Sequence, residues 1–298
     1  MFSNFIFIGS GTILVIRSII ISRREDSMSM RKLSVYLTGV IFFIVLGLSC
    51  VIRVIDYYDP RGLIPIEDFQ RNVPFSPGGS VSLRNFGGMI EILGWDRNEV
   101  EVYAEKMIPR AEGTNIRFLG PKKDMAKIDL QRYTDENISI NTKSTSEEGE
   151  NTIVDYYVKT PRFINLNGIL AREGDIFIAD LYGSASVKLE KGDIQVDNFS
   201  GSLDAVVQTG SIQASLYDER KEDVVTLKSY QGNITLFLQD NIDADIQAVF
   251  PGGEINSEFD LGQQEKENEI DLKLGKGGTS IYITVNNGNI DIKKIKSD

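Results

Sequence analysis

Histidine is absent from this chain of 298 residues, and cysteine occurs once, as Cys50. The absence of histidine removes the commonest general base and the commonest metal ligand. A single cysteine can form neither an internal disulfide nor a thiolate cluster. Histidine-dependent triads and zinc chemistry are therefore effectively excluded, and the sequence indicates no catalytic residue, no metal ligand and no bound cofactor.

Positive charge is also scarce, because 32 lysines and arginines stand against 43 aspartates and glutamates, for a formal net charge of −11. Such a balance repels nucleic acid, which is therefore not expected among the partners. The composition, with 41% hydrophobic and 25% charged residues, is that of a globular chain. Its length allows one large domain or two ordinary ones.

Long uncharged runs are rare, and the clearest is residues 33–52, which follow Arg31 and Lys32 and precede Arg53. At about 1.5 Å of rise per residue, a helix of this length just crosses a hydrocarbon core of about 30 Å. We therefore predict an N-terminal transmembrane helix, with residues 33–53 as the membrane anchor. The basic loop before it is expected in the cytoplasm, and everything after it outside the cytoplasm.

Residues 1–32 allow two interpretations. The apolar run at 5–21 is shorter and is interrupted by two glycines and Arg17. It is either a first membrane span, which would make the protein two-pass, or part of a segment that precedes a true start at Met28 or Met30. Small residues before the single cysteine also leave cleavage or lipidation open, although the length of the run favours an uncleaved anchor.

Proline is uncommon, yet half of the eight prolines fall in one short span, at Pro60, Pro65, Pro74 and Pro77. Residues 54–79 are therefore predicted to form an extended stalk. Residues 80–160 then alternate apolar and polar positions in strands of irregular length, separated by turn signals. We predict an antiparallel β-meander or small sandwich there, which covers the start of a more regular region.

That regular region has glycine every nine residues, at Gly174, Gly183, Gly192, Gly201 and Gly210. The positions two and four residues after these glycines are all apolar, namely Ile176, Ile178, Ala185, Val187, Ile194, Val196, Leu203, Ala205, Ile212 and Ala214. Fixed spacing with period-two alternation is typical of a strand-and-turn unit that stacks on its neighbours.

We therefore predict an all-β fold in which residues 161–298 form a β-solenoid, similar to a parallel β-helix, with coils of ~18–22 residues. The predicted structural turn glycines are Gly174, Gly183, Gly192, Gly201, Gly210, Gly232, Gly253 and Gly288. The last unit is followed by Lys293, Lys294 and Lys296, which are expected to protect a terminal edge strand from pairing with another molecule.

Three segments resemble a known family: residues 88–102 (GMIEILGWDRNEVEV), residues 158–161 (VKTP), and the Gly-Asp-Ile units that begin at 174 and 192. They are similar to the bacterial putative-adhesin domain family of unknown function with β-strand repeats. The resemblance covers residues 80–298 and includes the usual single anchor before the domain. It implies a β-solenoid-like domain of the bacterial cell envelope with no established catalytic residues.

Polar residues directly after the turn glycines are the first candidates for a site: Asp175, Asp193, Ser211, Asn233 and Asn289. Stacked as a ladder, they could bind calcium or sugar. The favoured interpretation is turn chemistry, because these residue types bond nearby backbone amides. The calcium-binding nonapeptide pattern would need aspartate five residues after each nine-spaced glycine, and only Asp197 fits.

Two other groups are weaker candidates. Asp193, Asp197 and Asp204 invite comparison with the grouped carboxylates of β-helical enzymes that cleave polysaccharides. Turn and outward-facing strand positions explain them better. Aromatic residues that could stack on sugars, although most are expected to be structural, are Trp95, Phe177, Tyr182, Phe199, Tyr217, Tyr230 and Phe237.

The leading hypothesis is a non-catalytic, membrane-anchored β-repeat domain of the bacterial cell envelope, in the cytoplasmic membrane with its C-terminal domain outside the cytoplasm. Its expected role is adhesin-like binding of a protein or glycan, or a structural contact. Two alternatives remain: a glycan-active β-helix enzyme, and an extracytoplasmic sensor or partner of a membrane complex.

Overall fold

The computed structural model describes residues 4–9, 12–17, 59–109, 126–144, 152–217, 222–260, 265–266 and 268–295. The chain divides into two compact units, Met1–Tyr57 and Tyr58–Asp298. In the first unit, strands β1 (Asn4–Gly9) and β2 (Thr12–Arg17) pair antiparallel. The anchor predicted at 33–53 lies outside the described residues. Within the described ranges, no helix has the length and apolar character needed to cross a membrane.

The second unit is built from β-strands. In chain order they are β3 (Leu63–Pro74), β4 (Ser80–Gly87), β5 (Ile90–Trp95), β6 (Glu99–Pro109), β7 (Ala126–Thr134), β8 (Asn137–Ser144), β9 (Ile153–Pro161), β10 (Asn165–Glu173), β11 (Ile176–Tyr182), β12 (Ala185–Lys191), β13 (Ile194–Ser200), β14 (Leu203–Thr209), β15 (Ile212–Leu216), β16 (Val224–Gln231), β17 (Ile234–Leu238), β18 (Ala244–Val249), β19 (Ile255–Ser257), β20 (Glu265–Lys266), β21 (Glu269–Leu274), β22 (Thr279–Val285) and β23 (Ile290–Lys294).

These strands form two sheets, and each coil contributes one strand to each. The first sheet has eleven strands in the order β20-β21-β18-β22-β16-β14-β12-β10-β4-β8-β7. The second has ten strands in the order β19-β23-β17-β15-β13-β11-β5-β9-β6-β3. Equivalent strands of successive coils pair parallel and in register, so that β12, for example, pairs with β14 through Ala185–Leu203 and Val187–Ala205. The all-β solenoid expected from the sequence is therefore present.

The interior between the sheets is filled by aliphatic side chains. All ten apolar positions that follow the nine-spaced glycines are buried, and the most exposed of them, Ala185, has 4% of its surface exposed. Burying one valine, leucine or isoleucine side chain stabilises a fold by about 1.5–3 kcal/mol. Because each coil alone exposes its inner face, this contribution depends on stacking against the coils on either side.

The N-terminal end of the stack differs from the predicted meander at residues 80–160. Strands β4 and β5 form a full coil, with β4 parallel to both β8 and β10, and β5 parallel to both β9 and β11. At this end of the stack, antiparallel pairing is confined to β3–β6, β6–β9 and β7–β8. The solenoid thus begins at residue 80, and the excursion that contains β6 and β7 conceals its regularity in the sequence.

The predicted stalk is also different, because most of residues 54–79 are not an extended spacer. Strand β3 is twelve residues long and lies at the edge of the second sheet, where it pairs with β6 from Leu63–Pro109 to Pro74–Glu99. Proline is tolerated on an edge strand, where one side needs no backbone donor. The pairing shifts register next to Pro65, where the proline interrupts it.

The C-terminal end of the stack has an interleaved order. Strands β22 and β23, the last in the chain, lie between the coil of β16 and β17 and the coil of β18 and β19. Lys293 and Lys294 were expected at the terminal edge of the stack, but β23 is not the terminal strand, because β19 pairs with it at Ile290–Ile292. The two lysines lie just beyond that pairing and, among the described strands, pair with β17 alone. The first coil is placed similarly, since β4 and β5 are covered by the later strands β8 and β9.

One ion cluster ties the entry of the second unit to its core. The Arg61 guanidinium lies 2.7 Å from a carboxylate oxygen of Asp59 and 2.8 Å from one of Asp155. Asp155 also accepts a hydrogen bond from the Met89 amide at 2.8 Å. Both carboxylates are 3% exposed, and Arg61 is 48% exposed. Without the arginine, two buried acids would lose their shared counter-charge.

We expect Arg61→Met to lower the free energy of unfolding by about 2 kcal/mol, less than for a fully buried pair because water reaches the arginine. The hydrogen bond from Arg61 lowers the pKa of Asp59 in the folded state. The resulting stability is present above the unfolded pKa of about 3.9 and is lost as the pH falls through the folded value. Thermal denaturation at pH 7 and pH 3 should show a smaller difference between wild type and variant at pH 3.

The control is Arg97→Met, because Arg97 forms an ion pair with Glu99 in which the arginine side chain is 67% exposed. Exposed pairs contribute about 0–1 kcal/mol. Equal destabilisation by the two substitutions would show that the Arg61 cluster does not fasten the entry strand.

Candidate functional site

The turn ladder proposed from the sequence forms, and its polar atoms bond to the protein itself. A carboxylate oxygen of Asp175 accepts from the Asp193 amide at 2.9 Å, and one of Asp193 accepts from the Ser211 amide at 2.7 Å. The series continues from Ser211 to Asn233, from Asn233 to Asn289, and from Asn289 to Glu254. Each side chain thus satisfies a backbone donor in the next coil, as turn chemistry requires.

The turn glycines stand where side chains have no room. Gly192 has φ +129°, and a Cβ built on it would lie 2.0 Å from the carbonyl oxygen of Gly174. Positive φ is also found at Gly174, Gly183, Gly201, Gly210, Gly232 and Gly288. Gly253 does not share that conformation, but its Cβ would lie 1.7 Å from the Gly288 carbonyl oxygen. These glycines are stacking points of the scaffold.

The three candidate carboxylates are not brought together. Asp193 is in the turn ladder, Asp204 is on the outer side of β14 in the first sheet, and Asp197 is on the outer side of β13 in the second. Asp197 accepts hydrogen bonds from Gln195 at 2.6 Å and Ser215 at 3.3 Å. Over the ranges that the structure describes, no group of three or more acidic or cysteine side chains could hold a metal ion.

The candidate aromatic residues do not form one strip. Phe199 is buried in the core at 1% exposure. Tyr182 stacks on Phe163, Trp95 is covered by the cations of Arg97 and Lys159, and Tyr230 lies under Lys228 on the first sheet. The remaining residues, Phe177, Tyr217 and Phe237, lie on the outer side of the second sheet or next to it, and two of these three line a recess.

A change in strand shape creates this recess. Asp180 in β11 and Asn198 in β13 adopt left-handed backbone conformations, with φ 60° and 48°, and their side chains hydrogen-bond each other. In the next coil, Ser215 of β15 stands opposite both Asp197 and Asn198, because the pairing jumps from Val196–Ala214 to Phe199–Leu216. This is a β-bulge, and it ends at β15.

The strands of the second sheet shorten at the same place. Strands β11 and β13 have seven residues, whereas β15, β17 and β23 have five. The second sheet is therefore narrower beyond the bulge. The resulting cleft of about 530 Å³, here called the aromatic recess, is lined by Gln213, Ser215, Tyr217, Phe237, Glu258, Lys293, Lys294 and Ile295.

Two lysines and one glutamate set the charge of the aromatic recess. The Lys294 ammonium forms an ion pair with Asp240, and the Lys294 amide donates to the Glu258 carboxylate at 2.8 Å. The Lys293 ammonium lies 5.9 Å from the centre of the Phe237 ring. No described carboxylate is within ion-pair distance of Lys293. The recess thus combines an aromatic floor, a positioned carboxylate and an available cation.

A second depression, of about 280 Å³, lies on the outer side of the first sheet. It is lined by Leu166, Asn167, Ser184, Ala185, Ser186, Ser202, Leu203, Asp204, Val224 and Thr226. It contains no aromatic ring and no cation. Because ligand sites usually combine apolar or aromatic surface with a few convergent polar groups, the aromatic recess is the better candidate.

Sequence reasoning identified Tyr217 and Phe237 as candidates but missed Glu258 and the role of Lys293. A signal for the recess does exist in the sixth position after the turn glycine. That position is Gly94, Asp180 and Asn198 in three stacked coils, and then Leu216 and Leu238 in the next two. Glycine, aspartate and asparagine tolerate left-handed conformations, and leucine does not, so the bulge must stop there.

The geometry defines the protein as a two-sheeted β-solenoid with antiparallel strands at its ends and a recessed outer face. The chain belongs to the Toastrack DUF4097 family, whose model matches residues 80–293. The resemblance noted from the sequence is thereby confirmed. No curated protein shows significant similarity to the chain.

Two solved structures are similar to the chain. One is a putative cell adhesion protein from Clostridium sporogenes ATCC 15579, with 15% identity, a TM-score of 0.45, and coverage of 78% of this chain and 100% of that one. The other is a putative adhesin from Bacteroides fragilis NCTC 9343, with 13% identity, a TM-score of 0.28, and coverage of 77% and 97%. Membership of the family rests on the family model.

Proposed function

We propose that the protein is a non-catalytic, adhesin-like binding domain of the bacterial cell envelope, held by its N-terminal anchor with the solenoid outside the cytoplasm. The aromatic recess is the observation that supports binding. It offers two partly exposed rings and several polar groups on a surface backed by stacked, hydrogen-bonded coils. Such a surface needs little reorganisation on binding, which lowers the entropic cost of forming the complex.

The positions of the acidic residues favour binding over catalysis. Hydrolysis of glycosides usually needs two carboxyl groups that flank one bond, about 5–9.5 Å apart. Asp193, Asp197 and Asp204 lie on a turn and on two different sheets. Among the residues that the structure describes, Glu258 is the one carboxylate in the lining of the aromatic recess.

We expect spheroplasts that display the full-length chain to bind components of a glycan array, and Tyr217→Ala with Phe237→Ala to weaken that binding at least tenfold. Loss of two stacking rings removes apolar contact area at the centre of the site. The matched control is Tyr282→Ala, which removes a 43% exposed ring from the first sheet. A membrane-impermeant amine reagent should label the chain on intact wild-type spheroplasts.

Three results would contradict this proposal. Equal loss in the Tyr282 control would place binding outside the recess. A chain that is labelled only after the spheroplasts are lysed would contradict the placement of the solenoid outside the cytoplasm. Turnover of any array glycan by the purified full-length chain would show an enzyme instead.

A further inference from the structure

We propose that the ligand of the aromatic recess is an acidic saccharide, whose ring stacks on Phe237 and Tyr217 and whose carboxylate pairs with Lys293. This inference rests on the proposed binding function and specifies the ligand. It follows from the floor of the recess, its unpaired polar groups and its local charge.

The floor suits a sugar ring. Phe237 projects from the outer side of β17, directly opposite Ser215 on β15 and Lys293 on β23. Tyr217 follows β15 and is held by a hydrogen bond from its amide to the Phe199 carbonyl at 2.9 Å. A pyranose presents C–H groups on its faces and hydroxyls at its rim, so that aromatic rings beside polar groups match it. The volume lies within the range of about 300–1,000 Å³ typical of small-molecule sites.

Several polar groups around this floor are available to a ligand. The Gln213 amide, the Tyr217 hydroxyl and the Lys293 ammonium have no hydrogen-bond partner among the residues that the structure describes. Glu258 already accepts one backbone hydrogen bond, which orients its carboxylate and leaves further acceptor capacity. Donors and acceptors on both sides of an aromatic floor are what a polyhydroxylated ring requires.

Charge favours an acidic sugar over a neutral one. Lys294 is paired with Asp240, and its amide donates to Glu258, the carboxylate of the recess. Among the described residues, Lys293 has no carboxylate partner, and its ammonium lies 5.9 Å from the centre of the Phe237 ring. A cation that is close to an aromatic surface and lacks a counter-ion gains from an incoming carboxylate. The whole chain carries −11, so an extended polyanion is repelled in general. The favourable charge interaction is therefore local, between Lys293 and one carboxylate of the saccharide.

The experiment uses the full-length chain in detergent, with trigalacturonate as the acidic probe and a neutral galactose trisaccharide as its counterpart. Isothermal calorimetry at low salt should show about tenfold tighter binding of trigalacturonate. Lys293→Gln should lose that tenfold advantage and leave the affinity for the neutral trisaccharide unchanged. Phe237→Ala should weaken both. Raising the salt concentration should reduce binding of the acidic probe selectively.

The control is Lys228→Gln, because Lys228 also lies over an aromatic ring, 4.5 Å from the centre of Tyr230, but on the opposite sheet. Equal affinity of wild type for the two probes, or equal effects of the two lysine substitutions, would overturn the acidic preference and leave the recess as a binding site. Failure of wild type to bind either probe would reject the saccharide assignment. Binding of both probes unaffected by Phe237→Ala would reject the recess itself.

Discussion

Replacing Gly192 by valine is expected to lower the free energy of unfolding of the second unit by at least about 4 kcal/mol. A Cβ at this position would lie 2.0 Å from the backbone oxygen of Gly174, which cannot move without disturbing the ladder on either side. The φ of +129° adds strain for a β-branched residue. Because folded domains are stable by about 5–15 kcal/mol, much of the native population should be lost. Urea denaturation followed by circular dichroism measures the effect.

Gly168→Val is the matched control. Gly168 also has positive φ, at +92°, but nothing lies within 4 Å of the position that its Cβ would occupy. The Gly168→Val substitution should lower the free energy of unfolding only by the backbone strain, about 1–3 kcal/mol. If the two valine variants were equally stable, close stacking of the turns would not be the reason for glycine at position 192.

Truncation of the chain after Gly278 should prevent formation of a native solenoid instead of shortening it by one coil. In a serially ordered solenoid, a terminal repeat contacts one neighbour, and its loss leaves the others intact. Here β22 and β23 separate two other coils and bury Ile281, Ile283, Val285, Ile290 and Ile292. Loss of these five side chains costs about 8 kcal/mol or more, which is comparable with the whole stability of a domain.

Limited proteolysis and thermal melting of the chain that ends at Gly278, with its N-terminal segment retained, would measure this effect. The control removes residues 296–298 alone. The expected result is rapid degradation and loss of a cooperative transition. A protease-resistant product that melts like wild type would mean that β18 can pair directly with β16, so that the interleaved order adds nothing to stability.

The scaffold of the solenoid could be predicted from the sequence because its signal is local. Each nine-residue unit contains the glycine of its turn and the two apolar residues that point inward, as in Gly192, Ile194 and Val196. The expectation failed where pairing is long-range. Strands β4 and β5 alternate like any coil, but nothing near residues 80–95 indicates that β8 and β9 will cover them. Coils that share the same alternation of apolar and polar residues cannot be told apart by that pattern. Their order in the stack is therefore determined by tertiary contacts.

The candidate site could be predicted in part. At the sixth position after the turn glycine, the change from Asn198 to Leu216 marks the end of the bulge and thus the location of the recess. The contribution of Glu258 could not be anticipated, because it follows a three-residue strand whose pairing with β23 spans a long stretch of sequence. Lys293 looked like edge protection because its strand is the last in the chain.

The interleaved ends have a mechanical consequence. Under the proposed function, the domain is loaded between its anchor and its ligand, and a serially ordered solenoid would yield to such a load by peeling from its outermost coil. Such a load would enter through β3, eleven residues of which pair with β6, and would then reach β4, which has a strand on each side. Pulling must therefore shear several ladders together, so resistance to tension would come from the order of the coils and not from any single bond.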